Sequence, residues 1–167
     1  MTVRGLRQCI FKSGGKRVCF YRLHYLLISR GHVQRFVYVI PSDSTFDFLF
    51  ILRFAYTAGW GQTVFGGQLS DVLLEVAIPI WEHDQCVAAF SQPIFKTNLC
   101  AASYEGGKDS CLGDSGGPLL AQRQDGKWTN VGIVSWGISC GEPGIPGVYT
   151  KVTSFLKWIS VNAQDTV

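Results

Sequence analysis

The chain has 167 residues and a formal net charge of +3, and 47% of its residues are hydrophobic whereas only 16% are charged. This composition suffices for one domain with a hydrophobic core, and it excludes a disordered chain. No basic cluster is larger than the pair Lys16-Arg17, which argues against a nucleic-acid-binding surface. The 19 glycines and the 13% of aromatic residues are typical of a β protein with many turns.

Residues 1–54 contain no motif to which we assign a function. Basic residues interrupt the first fifteen positions, so the apolar run of about 7 residues that a signal peptide needs is missing. No apolar stretch reaches the roughly 18 residues that would span a membrane. Short strands are predicted at residues 36–40, which end before Pro41, and in the aromatic run 46–54. Cys9 and Cys19 either pair with each other or stay free.

The character of the sequence changes at residue 55. Ala58-Gly59-Trp60-Gly61 ends an apolar segment, and apolar residues then alternate from 72 to 80, which is the period of a half-buried strand. Residues 81–90 predict a short helix, and residues 128–136 and 148–152 predict strands. Apolar residues at helical spacing predict a terminal helix at 154–159, capped by Thr153 or Ser154.

The most informative stretch is Cys111-Leu112-Gly113-Asp114-Ser115-Gly116-Gly117-Pro118. Its glycines permit a tight turn and a close approach of backbone N–H groups to a substrate. The N–H groups of Gly113 and Ser115 are candidates to stabilise the oxyanion that forms when a hydroxyl attacks a carbonyl. Ser115 is therefore the candidate nucleophile. A lone G-x-S-x-G arises by chance, but the six residues 113–118 are far more specific.

These six residues resemble the nucleophile motif of the trypsin-like, chymotrypsin-fold serine proteases at every position. Residues 58–61 resemble the Gly-Trp-Gly strand end of that family, and the likeness covers about residues 55–163. The resemblance implies an all-β fold, namely the second antiparallel six-stranded β-barrel of the chymotrypsin fold followed by a C-terminal α-helix. The first barrel is expected to be absent or replaced by an unrelated N-terminal segment.

The resemblance divides the chain into an unassigned segment 1–54, a protease domain 55–163 and a tail 164–167. Residues 141–144 and 147–150 look most like arthropod clotting or immune-cascade proteases. In the family, the aspartate at the position of Asp114 pairs with an N-terminal ammonium that activation cleavage generates. The sequence shows no such terminus, so we expect Asp114 to be solvated or turned elsewhere, with the oxyanion hole unformed.

The resemblance also implies a specificity pocket. Asp109, six residues before Ser115, matches the aspartate at the base of that pocket, where a carboxylate selects an arginine or lysine side chain. Gly137 and Gly147 match wall glycines that leave room for a long side chain. Ser135-Trp136-Gly137 resembles the segment that pairs antiparallel with an extended peptide. Leu112 departs from the family at the pocket rim, where a polar residue is common.

By the same resemblance, disulfides are expected to join Cys86 to Cys100 and Cys111 to Cys140. Each closed loop stabilises the fold by about 3 kcal/mol in the chain-entropy model. The alternative is a cytosolic protein with free thiols or a zinc site, but no C-x-x-C or paired-histidine spacing occurs. We expect no metal, no cofactor and a secreted protein.

A nucleophilic serine needs a base, which a carboxylate orients. None of the three histidines, His24, His32 and His83, has the sequence context of the family's catalytic histidine, and the family's aspartate motif is also missing. His83 precedes Asp84, but neighbouring residues on a helix point in different directions.

We therefore expect a truncated form, inactive by itself, of an endopeptidase that cleaves after Arg or Lys. Its partners would be peptide or protein substrates and other proteases of a cascade, with neither nucleic acid nor membrane involved. The alternative is a non-catalytic homologue that binds peptides or regulates an active protease.

Overall fold

The computed structural model describes residues 54–122 and 128–162 in full, together with the backbone of four earlier strands. These strands are β1 (Gln8–Lys12), β2 (Lys16–Tyr21), β3 (His24–Ser29) and β4 (His32–Tyr38), and they form an antiparallel meander. Cys9 lies opposite Cys19 in the register of β1 and β2. Strand β4 overlaps the predicted strand at 36–40. The strand predicted in the aromatic run 46–54 lies outside the described residues, except for Phe54.

Six further strands form the main body of the fold. They are β5 (Phe54–Gly59), β6 (Leu74–Pro79), β7 (Asn98–Ala101), β8 (Pro118–Gln122), β9 (Trp128–Trp136) and β10 (Gly147–Lys151). Their order is β6-β5-β8-β9-β10-β7, and every neighbouring pair is antiparallel. A bridge between Ile80 and Ala101 joins the end of β6 to β7. The sheet therefore curls into the six-stranded antiparallel barrel that the sequence predicted.

Within the described residues, the N-terminal meander pairs with this barrel through a short parallel pairing. Val37 and Tyr38 of β4 lie opposite Trp128 and Thr129 of β9. This pairing extends over two residues, and β9 is antiparallel to its barrel neighbours β8 and β10.

The barrel interior is filled by apolar side chains from all six strands and their ends. Burying a side chain such as Ile78 or Leu119, both with no exposed surface, contributes about 1.5–3 kcal/mol. The core residues are Ala55, Ile78, Ile80, Ala101, Leu119, Ala121, Val131, Val134 and Tyr149.

Strand β9 departs from simple alternation. Simple alternation would place Val131 and Ile133 on the same side of the strand, but the core contains Val131 and Val134. The β8–β9 register shifts there, since Leu119 pairs with Gly132 and Leu120 with Asn130. The extra residue, Val131, forms a β-bulge that reverses which side of the strand faces inward.

Two short α-helices lie within the described residues. Helix α1 (His83–Ala88) buries Cys86, whose disulfide to Cys100 ties the helix to β7. A 3-10 turn (Val152–Phe155) continues into α2 (Leu156–Asn162). The predicted capping by Thr153 or Ser154 is wrong, because the helical segment begins earlier and both residues lie inside its first turn. Within the described residues, no helix combines the length and apolar character that crossing a membrane requires.

Candidate active site

The loop 111–118 is held in a fixed shape by its own backbone and by β9. The N–H of Asp114 donates to the Cys111 carbonyl at 3.0 Å, and the N–H of Gly117 donates to the Asp114 carbonyl at 2.8 Å. Gly116 and Gly117 also exchange hydrogen bonds with Val134 of β9, both at 2.9 Å. Main-chain hydrogen bonds thus join the loop to β9.

Two N–H groups of this loop remain available. Among the described residues, the N–H groups of Gly113 and Ser115 donate to no protein atom, whereas those of Asp114, Gly116 and Gly117 are all used. Gly113 has a φ of 98°, a left-handed conformation that favours glycine. Ser115 is exposed, and its hydroxyl has no hydrogen-bond partner within the described part of the chain. The loop therefore offers an exposed hydroxyl flanked by two free donors.

The Asp114 side chain anchors the loop to a distant corner of the barrel. Its two carboxylate oxygens accept hydrogen bonds from the N–H of Gly61 at 2.8 Å and the N–H of Cys111 at 2.9 Å. A side chain at Gly59 would collide with this carboxylate. Of the two alternatives expected for Asp114, solvated or turned elsewhere, the structure shows the second, because its carboxylate is directed at the backbone N–H groups of Gly61 and Cys111.

A cavity of about 240 Å³ opens beside this carboxylate. Asp114 and Asp109 both contribute to its wall, and Lys108 is the one cationic side chain among its lining residues. The other lining residues are Thr57, Ala58, Gly59, Gly61, Gln62, Thr63, Leu74, Glu75, Val76 and Gly107.

Asp109 forms the second carboxylate site. Its two oxygens accept hydrogen bonds from the N–H of Ser110 at 2.8 Å and the N–H of Gly141 at 3.2 Å. Burial raises the pKa of Asp109 from 3.8 to about 6, although these backbone hydrogen bonds act in the opposite direction. Among the described residues no lysine or arginine pairs with it.

The surroundings of Asp109 are built around Tyr149. This side chain is fully buried and its hydroxyl donates to Ser110 Oγ at 2.9 Å, while burial raises its pKa. A Cβ at Gly147 would lie 2.7 Å from Asp109 Oδ1. Glycine at position 147 is therefore required for the carboxylate to sit where it does. The disulfide between Cys111 and Cys140 links the two chain segments that contribute to this site.

The segment Ser135-Trp136-Gly137 lies at the open end of β9. All three residues are exposed, and Trp136 has 37% of its surface accessible. The ring of Phe90 contacts the ring of Trp136 edge-on, with centroids 5.1 Å apart. The sequence analysis did not single out Phe90, although it is an aromatic residue at the end of the predicted helix.

The structure does not bring a described histidine to Ser115. His83 begins α1, which packs against β7 through Cys86 and Cys100. The side chains of His24 and His32 lie outside the described residues. In the part of the chain that the structure describes, no cluster of three or more metal-ligand side chains occurs.

The barrel and the loop that it carries define a class of protein. The family model described as Trypsin matches residues 36–159, and the chain belongs to this family of trypsin-like serine proteases. The match begins within β4, ahead of the boundary at residue 55 that the motifs predicted.

Arthropod proteins are among its similar relatives. The chain is 50% identical over 111 residues to "Proclotting enzyme" of Tachypleus tridentatus, covering 65% of this chain and 30% of that protein. It is 48% identical over 106 residues to "Trypsin-1" of Astacus astacus, covering 63% of this chain and 44% of that protein. A third relative, "Serine proteinase stubble" of Drosophila melanogaster, is 46% identical over 118 residues, which are 68% of this chain and 15% of that protein. The chain thus spans less than half the length of each of these relatives.

Proposed function

We propose that this chain carries the nucleophile and the specificity pocket of a serine endopeptidase that cleaves proteins after arginine or lysine. The observation that supports this most directly is Asp109. Its carboxylate is largely buried, is oriented by two backbone N–H groups and has no cationic partner among the described residues. A carboxylate held in this way is suited to a cationic side chain supplied by a substrate.

In this proposal each site residue has a defined role. The Ser115 hydroxyl attacks the carbonyl carbon, and the N–H groups of Gly113 and Ser115 bind the resulting oxyanion. Ser135, Trp136 and Gly137 pair with the substrate main chain, as a strand added to β9. Gly137 and Gly147 leave the pocket open for a long side chain.

The base and its orienting carboxylate are expected to come from outside the described residues. Losing members of the triad lowers the rate by about 10⁴ to 10⁶. We therefore expect the chain by itself to bind substrate-like ligands without hydrolysing them at a useful rate.

The cavity beside Asp114 is a candidate site for regulation of the loop. A terminal ammonium generated by activation cleavage would complete the carboxylate's hydrogen bonds and oppose its charge. We also infer an oxidising, extracellular environment from the two disulfides among the described residues. By similarity to a proclotting enzyme, other proteases of a cascade are candidate partners.

The pocket is tested by titrating the 167-residue chain with p-aminobenzamidine, a fluorescent aryl cation. We expect saturable binding that Asp109→Asn weakens by at least about tenfold, since a charged hydrogen bond contributes roughly 1.5–3 kcal/mol. Ser115→Ala, which leaves the pocket intact, is the matched control and should change the affinity less than about threefold. Equal affinities of the Asp109→Asn variant and the unchanged chain would contradict the proposal.

The unpartnered hydroxyl of Ser115 favours a second candidate, the non-catalytic homologue that binds peptides or regulates a protease. An arginyl-amide hydrolysis assay, with Ser115→Ala as its control, addresses this. Serine-dependent turnover by this chain alone would exclude the non-catalytic role and would also show that a base is present.

A further inference from the structure

The N-terminal meander brings the two cysteines outside the barrel to the same register position. Strands β1 and β2 are antiparallel, and Cys9 of β1 lies directly opposite Cys19 of β2. The four other cysteines of the chain are already joined in the two disulfides of the barrel. Cys9 and Cys19 are therefore the remaining pair, and the backbone of the meander determines how close they come.

The spacing of opposite residues in an antiparallel pair suits a disulfide. Their Cα atoms are about 4.5 Å or about 5.5 Å apart, depending on whether the two residues exchange hydrogen bonds. Disulfides span Cα–Cα distances of about 4.4–6.8 Å. The two disulfides of the barrel, with Cα–Cα distances of 5.8 Å and 5.3 Å, lie in the same range. Cys9 and Cys19 therefore meet the distance requirement at either kind of position in the β1–β2 pairing.

The register continues from the two cysteines across the meander. Cys19 lies opposite Leu26 of β3, and Leu26 lies opposite Phe36 of β4. Residues opposite each other share a face of the sheet, so the four positions form one row. A structural zinc site takes four ligands, whereas this row supplies two thiols and two apolar residues. The row therefore favours a disulfide over a metal site.

We propose that Cys9 and Cys19 form a disulfide that links β1 to β2, in addition to the two disulfides of the barrel. Each thiol loses its proton, and a bond forms between the two sulfur atoms. The two electrons pass to a disulfide oxidant such as oxidised glutathione, whose own S–S bond breaks to give two thiols. The oxidising environment inferred from the barrel disulfides supplies oxidants of this class. The bond is independent of the proposed peptidase function.

The disulfide would fix the register of the first hairpin. A slip of one residue between β1 and β2 would place Cys9 opposite Val18 or Phe20 and would move it to the other face relative to Cys19. Within the described residues, the meander pairs with the barrel at two positions of β4. Its strand register therefore has to be set largely by bonds inside the meander, and a covalent link between opposite residues does this.

The test maps the disulfides of the 167-residue chain after oxidation in a glutathione redox buffer. Free thiols are alkylated, and the monomer is then denatured and digested with trypsin. At least one lysine or arginine separates each cysteine from the next, so all six fall in different tryptic peptides. We expect the peptides 8–12 and 18–22 to be joined, and to separate when the digest is reduced.

A matched variant distinguishes the register from mere closeness in sequence. Cys9→Ile combined with Ile10→Cys keeps the composition but places the thiol opposite Val18, on the other face of the sheet. In a chain without this register, a thiol at position 9 or 10 would pair with Cys19 almost equally well, because loop closure depends weakly on length. We expect the swap to lower the effective concentration of the thiol pair, measured against glutathione, by at least about fivefold. In concentrated urea the two chains should agree within about twofold.

Four results would overturn the proposal. They are alkylation of both cysteines before reduction, a bond from either one to a barrel cysteine, joined peptides confined to a covalent dimer, and a fall of less than about fivefold on swapping. The barrel disulfides Cys86–Cys100 and Cys111–Cys140 provide the control for oxidation. They should be recovered from the same digest of both chains, since they lie outside the meander.

Discussion

Asp109 and Asp114 lie five residues apart. They make the same kinds of hydrogen bonds, but their roles differ. Each carboxylate accepts a bond from a nearby N–H, of Ser110 or Cys111, and one from a distant segment, at Gly141 or Gly61. The Asp114 carboxylate hydrogen-bonds both Cys111 and Gly61, and so holds the nucleophile loop against the segment that follows Gly59. The Asp109 carboxylate also lies against a glycine, Gly147, but burial raises its pKa to about 6.

The comparison shows that the role of each carboxylate follows from the groups that surround it. Asp114 sits against backbone that leaves no room for a side chain at Gly59, so its first role is structural. Asp109 accepts a hydrogen bond from the N–H of Ser110, whose Oγ accepts one from Tyr149, and Asp109 has no cationic partner among the described residues. A carboxylate that is oriented in advance in this way is suited to a ligand.

The largest effect is expected from a substitution that disrupts the hydrogen bonds of Asp114. Gly59→Ala should lower the free energy of unfolding by about 3 kcal/mol, because its Cβ would displace the Asp114 carboxylate from two backbone hydrogen bonds. Gly66→Ala is the control: its φ is 78° but its surroundings are open, so a loss of about 1 kcal/mol is expected. Urea unfolding measures both, and equal losses would show that Asp114 does not depend on this corner.

The next largest effect concerns the affinity of the Asp109 site for a cationic ligand, which should depend on pH. With a pKa of about 6, Asp109 is mostly protonated at about pH 5 and ionised at about pH 8, so p-aminobenzamidine should bind about tenfold more weakly at the lower pH. The Ser115→Ala variant should show the same profile, since Ser115 does not titrate in this range. Fluorescence titration across pH 5 to 8 measures the affinity, and a flat profile would contradict the role of Asp109.

The same pKa sets the sign of a stability effect. Because the folded-state pKa of about 6 lies above the ordinary value of 3.8, protonation of Asp109 favours the folded state. This contribution is fully present below pH 3.8 and is lost as the pH rises through about 6. Asp109→Asn should therefore reduce the fall in stability over that interval.

The smallest expected effect tests the support beneath Asp109. Tyr149→Phe removes a buried hydroxyl that donates to Ser110 Oγ at 2.9 Å, which should cost about 1 kcal/mol of stability. Tyr104→Phe is the matched control, because its hydroxyl is at the surface and lies 3.4 Å from Gln85 Oε1. We expect this control to stay within about 0.5 kcal/mol of the parent. Thermal unfolding that ranks the two variants in reverse would exclude the proposed support.

Much of the fold was predictable because its signals are local. The existence of β6, the extent of β9 at 128–136 and the short helix around Cys86 follow from patterns within each segment, although Val72 and Leu74 of the predicted alternating stretch are exposed. The inward face of β9 after Val131 was not predictable, since the bulge exists only in its pairing with β8. Capping by Thr153 or Ser154 failed for a similar reason, because the chain turns helical directly from β10.

The candidate site divides along the same line. The sequence by itself determined which residue types are present: a serine between glycines, an acid six residues before it, and cysteines at family spacing. Only the tertiary structure decided that Gly61 donates to Asp114 across 53 positions of sequence, and that Leu69 packs on Gly113. The physical reason is the distance along the chain over which each kind of interaction acts. Backbone conformation and residue chemistry act between neighbours, whereas hydrogen-bond partners and burial depend on segments that meet only when the barrel closes.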